Sequence, residues 1–503
     1  MRIHKILAGS LLLVGLAACN NENKGNDDGK KGIENPAYAQ FALTLSNGST
    51  GGNMAKADPT RDSIDHAGTT EEQTIVDITF AFVNEKSNQI AASATIGRND
   101  LTPGASGSNG ELTYLTEPIE VPRGTYTIYA CINAPASVKA ELAQGKTGCM
   151  DIVFQNADGN IDNKEIAAGG NFMMSNYRTD TLKKTLTEEN TINNPLKAQI
   201  SVERTAAKVQ YNTVRAKRSG YDFPVYNNAG TEIGDVPTAL SAMKLSNLNT
   251  KTYVFGHNNR ENTTIEDPNH TNTPAGELVA NNSSSAGFED LGVEGTPLYP
   301  DIYCMENTFT GGQDAATTNY TGVFFRAKHT PGADVLANGK VLVGGQEVEV
   351  TNTLESDGTF YQYAGVLLAN KESLKKYYTA AVSVDDQVDP ADAITLLDKL
   401  ADLTDEELYQ LDTNYGIKVY KQGYSYYHAV IGHEYEDPTN GSMTPMEYAV
   451  VRNHWYMVAV TKISNFGEVI PTIPDEPVES ENAFIQMEVR VMPWHLVVND
   501  FEL

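Results

Sequence analysis

An all-β fold with a few short helices, arranged as two β-sandwich domains, is what this 503-residue sequence predicts. Three observations lead there. Runs of β-branched and aromatic residues recur between clusters of Gly, Pro, Asn and Asp along most of the chain. Helical periodicity is confined to short stretches, so the strand-helix-strand rhythm of a parallel α/β sheet is missing. The length exceeds what one core ordinarily serves, which sets two domains, or three, as the expectation.

An apolar fraction of 40% and a charged fraction of 20% describe a folded chain rather than a disordered one. The formal net charge of -28 argues against nucleic acid as a partner, because an acidic surface repels phosphates where counterion release is needed. Solubility is the simpler reading of that charge.

The first nineteen residues, "MRIHKILAGSLLLVGLAAC", place Arg2 and Lys5 before an apolar run that ends on small residues, the pattern of an export signal over 1–18. The run is too short for a comfortable membrane span. Leu16-Ala17-Ala18-Cys19 resembles a bacterial lipobox, which implies cleavage before Cys19 and lipidation there. The polar, Gly-rich stretch to residue 37 reads as a flexible lipid tether.

The first strand is "YAQFALTLS", Tyr38 to Ser46, with Phe41, Leu43 and Leu45 among its alternating apolar positions. It is followed by a polar stretch carrying Lys56 and Arg61. A trypsin-like protease cutting at either residue would release tether and strand together as a propeptide. Losing a strand leaves unpaired backbone groups and an open apolar groove, which another strand must fill.

"TIVDITFAFV", "GTYTIYACI", "AQISVERTAAKVQY", "KTYVFG", "YTGVFFRAKHT", "YSYYHAVIG" and "HWYMVAVTKI" are the further strand candidates. Cys131 and Cys149 lie in strand-like runs around a short helical insert, "ASVKAELAQ", and two readings stand: a disulfide, or isolated thiols. "AELAQGKT", Ala140 to Thr147, matches a loose phosphate-binding loop. A helical run precedes it where a strand should, so it reads as a helix end and a turn. Ser246 to Gly292 is rich in Asn, Thr, Ser and Gly and reads as long surface loops.

"KESLKKYYTAA" is a short helix. "PADAITLLDKLADLTDEELYQLDTNYG" has Ile394, Leu397, Leu400, Leu403, Leu408 and Leu411 at helical spacing, with Thr404 and Glu407 forming a capping box that restarts the helix. It is expected to pack over one sheet. His428, His433 and His454 are near in sequence but lack the helical pairing of a metalloprotease site, and read as solvated or hydrogen-bonded strand histidines. No nucleophile elbow, Cys-His pair, metal spacing or cofactor loop passes its structural test, so no enzyme and no cofactor are expected. The 25 tyrosines suit half-buried strands, and less readily a glycan-stacking platform.

"PTIPDEPVES", inside an acidic Pro-rich tether over 471–483, stays extended and its ten residues span on the order of 30 Å. The chain then closes on "ENAFIQMEVRVMPWHLVVNDFEL". Ile485, Met487, Val489 and Val491 share one face; after Pro493, which has no amide donor and marks a bend, Trp494, Leu496 and Val498 share another. Phe484 and Phe501 flank the two short strands.

On the lipoprotein signal, "YAQFALTLS" before a basic region, "ISVERTAAKVQ", "VVRNHWYMVAVTKISNFG", the tether and the ending "FIQMEVRVMPWHLVVNDFEL", the sequence resembles the fimbrillins of Bacteroidales type V pili, the shaft subunits of Mfa-type short fimbriae most closely. The resemblance implies two transthyretin-like β-sandwich domains, here 62–205 and 206–470. It also implies export as an outer-membrane lipoprotein through Cys19 and proteolytic loss of the first strand at Arg61, with Lys56 as the competing residue. Head-to-tail polymerisation of identical subunits follows, residues 484–503 of one filling the groove emptied on the next. Anchor and tip subunits of an extracellular fimbrium are further partners, and adhesion and biofilm formation the expected roles. An anchor or tip subunit, or a surface glycan-binding lipoprotein, are the alternatives.

Overall fold

The computed structural model describes residues 35–45, 69–103, 114–157, 165–176, 182–211, 217–259, 264–268, 283–292, 301–309, 316–383, 389–433, 446–474 and 484–493, with isolated residues between them. Among the described residues strands dominate, with four short α-helices, as the alternating pattern predicts.

The first body is built on a ten-stranded sheet. Its central path runs from Ile90–Gly97 through Asp77–Asn84, Gly124–Ile132, Met174–Asn176, Leu196–Arg204 and Pro36–Leu45 to Tyr114–Thr116 and Leu101–Pro103. Pro36–Leu45 and Asp77–Asn84 are four steps apart on this path, yet the rings of Phe41 and Phe80 stack at 4.8 Å between centroids. The sheet therefore folds over on itself, and inward residues of its two halves enclose one core.

At Thr205 the chain leaves Leu196–Arg204 and enters Ala206–Tyr211, a strand of the second body. Here two four-stranded sheets face each other. One holds Asp301–Met305, Ala206–Tyr211, His454–Ile463 and Ile485–Pro493; the other holds Glu289–Asp290, Thr238–Ser246, Gly322–His329 and Tyr424–Val430. Tyr211 and Phe325 meet edge to face at 5.8 Å across the interior.

A third, smaller core lies under α2 (Lys371–Val382), α3 (Ala391–Asp398) and α4 (Asp405–Tyr415). Leu374, Leu397, Leu408 and Leu411 pack there with Tyr361, Ile417 and Val419 of a three-stranded sheet. Thr404 Oγ1 accepts from the Glu407 amide at 3.2 Å, and the Glu407 carboxylate accepts from the Thr404 amide at 2.9 Å, so the expected capping box is formed. α1 (Ala136–Glu141) ends before "QGKT", and Thr147 bridges to Gln89, which leaves a helix end and a turn where a phosphate loop would need strand then helix.

The reading of 246–292 as surface loops is corrected over its first part. Asn247, Asn249, Thr252, Val254 and Phe255 are buried, and Lys251–Tyr253 pairs with Val153–Gln155 of the first body. Val254 and Phe255 join the first core. The polar composition that resembles a loop supplies the partners: Asn247 Nδ2 donates to the Thr317 and Tyr320 carbonyls, and Asn249 Nδ2 to Asp267 and the Glu306 carbonyl. Of the two readings open for Cys131 and Cys149, the structure has the isolated thiols, both buried and unbonded. Each supports a sheet or turn inside the first core, and burial pushes both thiols well above their ordinary range.

Candidate functional site

The first strand, Pro36–Leu45, lies inside its sheet. On one side it runs parallel to Leu196–Arg204, from Ala39 opposite Leu196 to Leu45 opposite Val202. On the other it runs antiparallel to Ile119–Pro122 and to Tyr114–Thr116. The period of two points Ala37, Ala39, Phe41 and Leu43 inward, each with 0% of its surface exposed. Phe41 stacks on Phe80 and lies 6.0 Å from Phe82, and its amide donates to Thr116 Oγ1 at 3.0 Å. Tyr38 and Gln40 face outward and remain half-buried.

The strand joins the described remainder of the chain only through residues 46–68. A cut there leaves it held by pairing and packing alone. Its departure would open a slot walled by Leu196–Arg204 and by Tyr114 to Pro122, floored by Phe80 and Phe82. Cys19, Lys56 and Arg61 lie outside the described residues.

The described side of the possible cut is anchored. Glu72, in the short turn Glu71–Gln73, is 1% exposed, and Lys208 Nζ of the second body lies 3.0 Å from its carboxylate. Tyr303 donates to the same carboxylate at 2.7 Å, and Arg204 Nε donates to the Glu72 carbonyl at 3.0 Å. Burial alone would raise the Glu72 pKa, but Lys208, Tyr303 and Arg204 together hold it below its ordinary value. Burial pulls Arg204 down to about 9 against the pull of Glu72. Nearby, Arg452 Nε donates to Glu306 at 2.9 Å, and its Nη2 reaches the Tyr253 carbonyl at 2.7 Å, pinning the segment that crosses between the bodies. Neither periodicity nor motif spacing marks Glu72, Arg204, Lys208, Glu306 or Arg452. The available signal was charge inside strand runs, as in "VERTAAK".

The last described strand, Ile485–Pro493, lies at an edge. It pairs antiparallel with His454–Ile463, from Ile485 opposite Ile463 to Pro493 opposite His454. This differs from the expectation that the tether carries the terminal strand away from its own body. Ile485 is buried in the second core, and Met487, Val489 and Val491 lie half-buried against it, while Phe484 is 44% exposed. The strand ends at Pro493, and Trp494, Leu496, Val498 and Phe501 lie outside the described residues. The start of the tether is itself docked, Ile473 at 9% exposure and the Pro474 carbonyl accepting from Thr317 Oγ1.

The histidines are hydrogen-bonded. His428 Nε2 lies 2.7 Å from Ser246 Oγ, His433 Nδ1 2.7 Å from the Tyr456 hydroxyl, and His454 Nδ1 2.8 Å from the Arg452 carbonyl. Among the described residues no group of three His, Cys, Asp or Glu side chains is arranged to hold a metal ion.

Residues 418–500 match the family model of the major fimbrial subunit protein type IV, fimbrillin, C-terminal. No curated protein sequence matches the chain. Solved structures that resemble it include a fimbrilin from Porphyromonas gingivalis, 14% identical, covering 92% of this chain and 99% of that one with a TM-score of 0.43. The tip fimbrial protein of Porphyromonas gingivalis with a C-terminal truncation is 13% identical, covers 91% and 100%, and has a TM-score of 0.35. A fimbrial assembly protein from Parabacteroides distasonis is 15% identical over 60% of this chain and 84% of that one, with a TM-score of 0.31.

Proposed function

From the fimbrillin C-terminal match over residues 418–500 we propose that the chain is a structural subunit of a cell-surface fimbria of the type V pilus kind, and not an enzyme. It is exported as a lipoprotein on Cys19, cut by a trypsin-like protease at Arg61, or at Lys56, and relieved of its first strand. Residues 484–503 of one subunit then occupy the slot on the next, building a head-to-tail extracellular fibre that serves adhesion and biofilm formation, joined by anchor and tip subunits.

One contrast carries this reading. The first strand fills four fully enclosed core positions, yet a single cut frees it from the chain; the last strand carries four apolar residues of matching alternation and leaves three of them half-buried at an edge. A strand that gains burial by moving has a thermodynamic reason to move, at ~25 cal/mol per Å² of apolar surface. Emptied, the slot would leave strand-edge amides and carbonyls without partners, which costs ~1–3 kcal/mol for each one kept from water. Neither step needs a nucleotide, because proteolysis makes the exchange irreversible.

The test is N-terminal sequencing of protein taken from cells, together with gel analysis under mild denaturant. The expected mature chain begins at Asp62 and forms ladders that vanish when residues 484–503 are deleted. Ladders that persist without those residues would reject strand donation by this segment, and a mature chain that keeps residues 36–45 and the lipid would point to an anchor instead.

A further inference from the structure

Resting on the strand exchange proposed above, we infer that the incoming strand docks in the direction opposite to the strand it replaces, with Ile485 at the place of Leu43, Met487 at Phe41, Val489 at Ala39 and Val491 at Ala37. The inference comes from what lines the slot and what alternates along the last strand.

Size is the first constraint. The four enclosed positions grade along the first strand from small to large, Ala37 and Ala39 and then Phe41 and Leu43. The apolar row of the last strand grades the other way, Ile485 and Met487 and then Val489 and Val491. Laid in the same direction, Ile and Met would be forced into alanine sites and two valines would leave the Phe41 and Leu43 sites partly empty, which combines overpacking with cavities. Reversed, Met replaces Phe and Ile replaces Leu. Each valine adds two methyl groups at an enclosed alanine position, less volume than Ile or Met would add there.

Charge on the outer face is the second constraint, and it fixes the register. The outward position of Gln40 lies beside Lys197, and that of Tyr38 beside Glu120. Lys197 and Glu120 are both exposed. In the reversed register Glu488 comes beside Lys197 and Arg490 beside Glu120, two opposite-charge neighbours on one face. Slipped by two residues one way, Glu488 meets Glu120; slipped the other way, Arg490 meets Lys197. A slip by one residue turns the apolar row outward and is excluded by burial.

Backbone pairing adds a direction of its own. The first strand makes its longest pairing, seven residues from Ala39 to Leu45, in parallel with Leu196 to Val202. A reversed strand converts that wall to antiparallel pairing, which is the slightly more stable arrangement per residue, and moves the parallel geometry to the shorter wall at 114–122.

Disulfide trapping in the processed chain, residues 62–503, tests this. Arg490→Cys with Glu120→Cys is expected to give oxidised ladders that survive boiling in SDS and collapse on reduction, whereas Arg490→Cys with Gln199→Cys gives none. Cys131, Cys149 and Cys304 are buried and stay silent as background. Separately, Lys197→Glu should slow ladder growth about three- to tenfold, and Glu488→Lys in the same chain should restore it. Ladders trapped through 490 and 199 would overturn the reversed direction while leaving strand exchange intact. Processed unsubstituted protein that forms no ladders would overturn strand exchange, and the register with it.

Discussion

Glu72 and Lys208 form a buried ion pair of 3.0 Å that ties the segment after residue 68 to the first strand of the second body. Lys208 Nζ also meets Asp301 at 2.9 Å and stands 4.3 Å over the Trp455 ring. A chain cut at Lys56 or Arg61 keeps this tie, so the loss of the first strand is separable from the joint between the bodies. Removing Glu72 leaves Lys208 paired with Asp301 but strips the Tyr303 hydroxyl and Lys208 of a buried acceptor, at ~1–3 kcal/mol for each group left short of a partner. Glu72→Ala is therefore expected to lower the urea midpoint strongly in both uncut and processed protein. Equal stability to the unsubstituted chain would show that the pair does not hold the joint.

Phe41 offers the opposite separation. Its ring is fully enclosed and stacked on Phe80, so Phe41→Ala should cost ~3–5 kcal/mol in the uncut chain. In protein already relieved of residues 1–61 the substitution is absent from the folded assembly and should change nothing. Chemical denaturation of both forms checks the pair of outcomes, and an equal penalty in each would mean that residues 36–45 stay bound after the cut.

What could be read from the sequence was what short-range chemistry decides. The Thr404 and Glu407 capping box spans four residues, and the alternation around Phe41 needs only its own strand, so both were visible. The course of residues 247–255 was not, because its burial depends on distant partners: Arg452 reaches the Val254 carbonyl from 198 residues away, and Glu306 reaches Asn249 from 57. The hairpin Gly339–Val343 to Gln346–Val350 turns through Gly344 and Gly345, both at positive φ, and two glycines between alternating runs are a local hairpin signal. The home pairing of Ile485–Pro493 was missed for a different reason: an edge strand and a donated strand carry the same alternation, and only the vacancy beside His454–Ile463 distinguishes them.

Acid should loosen the second body. His329 is bonded at Nδ1 to Thr238 Oγ1 (2.8 Å) and at Nε2 to Ser425 Oγ (2.7 Å), and burial holds its pKa down to about 3. Burial, helped by His454, holds His433 down to about 3. Both are neutral in the folded chain and take up a proton near ~6.5 once unfolded. Their contribution is complete above ~6.5 and declines as pH falls toward the folded values, by ~1.4 kcal/mol per pH unit for each histidine. Urea midpoints between pH 7 and pH 4 should fall accordingly, and His329→Gln with His433→Gln should flatten the slope. An unchanged slope in that variant would assign the acid sensitivity to other groups.

Val489 distinguishes the two positions of the last strand. At the home edge its side chain is half-buried opposite Val458, and a carboxylate there can turn toward water. In the slot it would replace Ala39 or a neighbouring inward residue, where no surface is exposed and an unpaired charge costs several kcal/mol. Val489→Asp is therefore expected to shift the thermal midpoint of the uncut monomer by only a few degrees, consistent with ~1 kcal/mol, while removing SDS-resistant ladders from processed protein. Val489→Ala, which matches the alanine found at position 39, should keep the ladders. If Val489→Asp unfolds the monomer, the home edge is the position that matters to this residue; if it folds and still polymerises, the inward row is not what enters the neighbour.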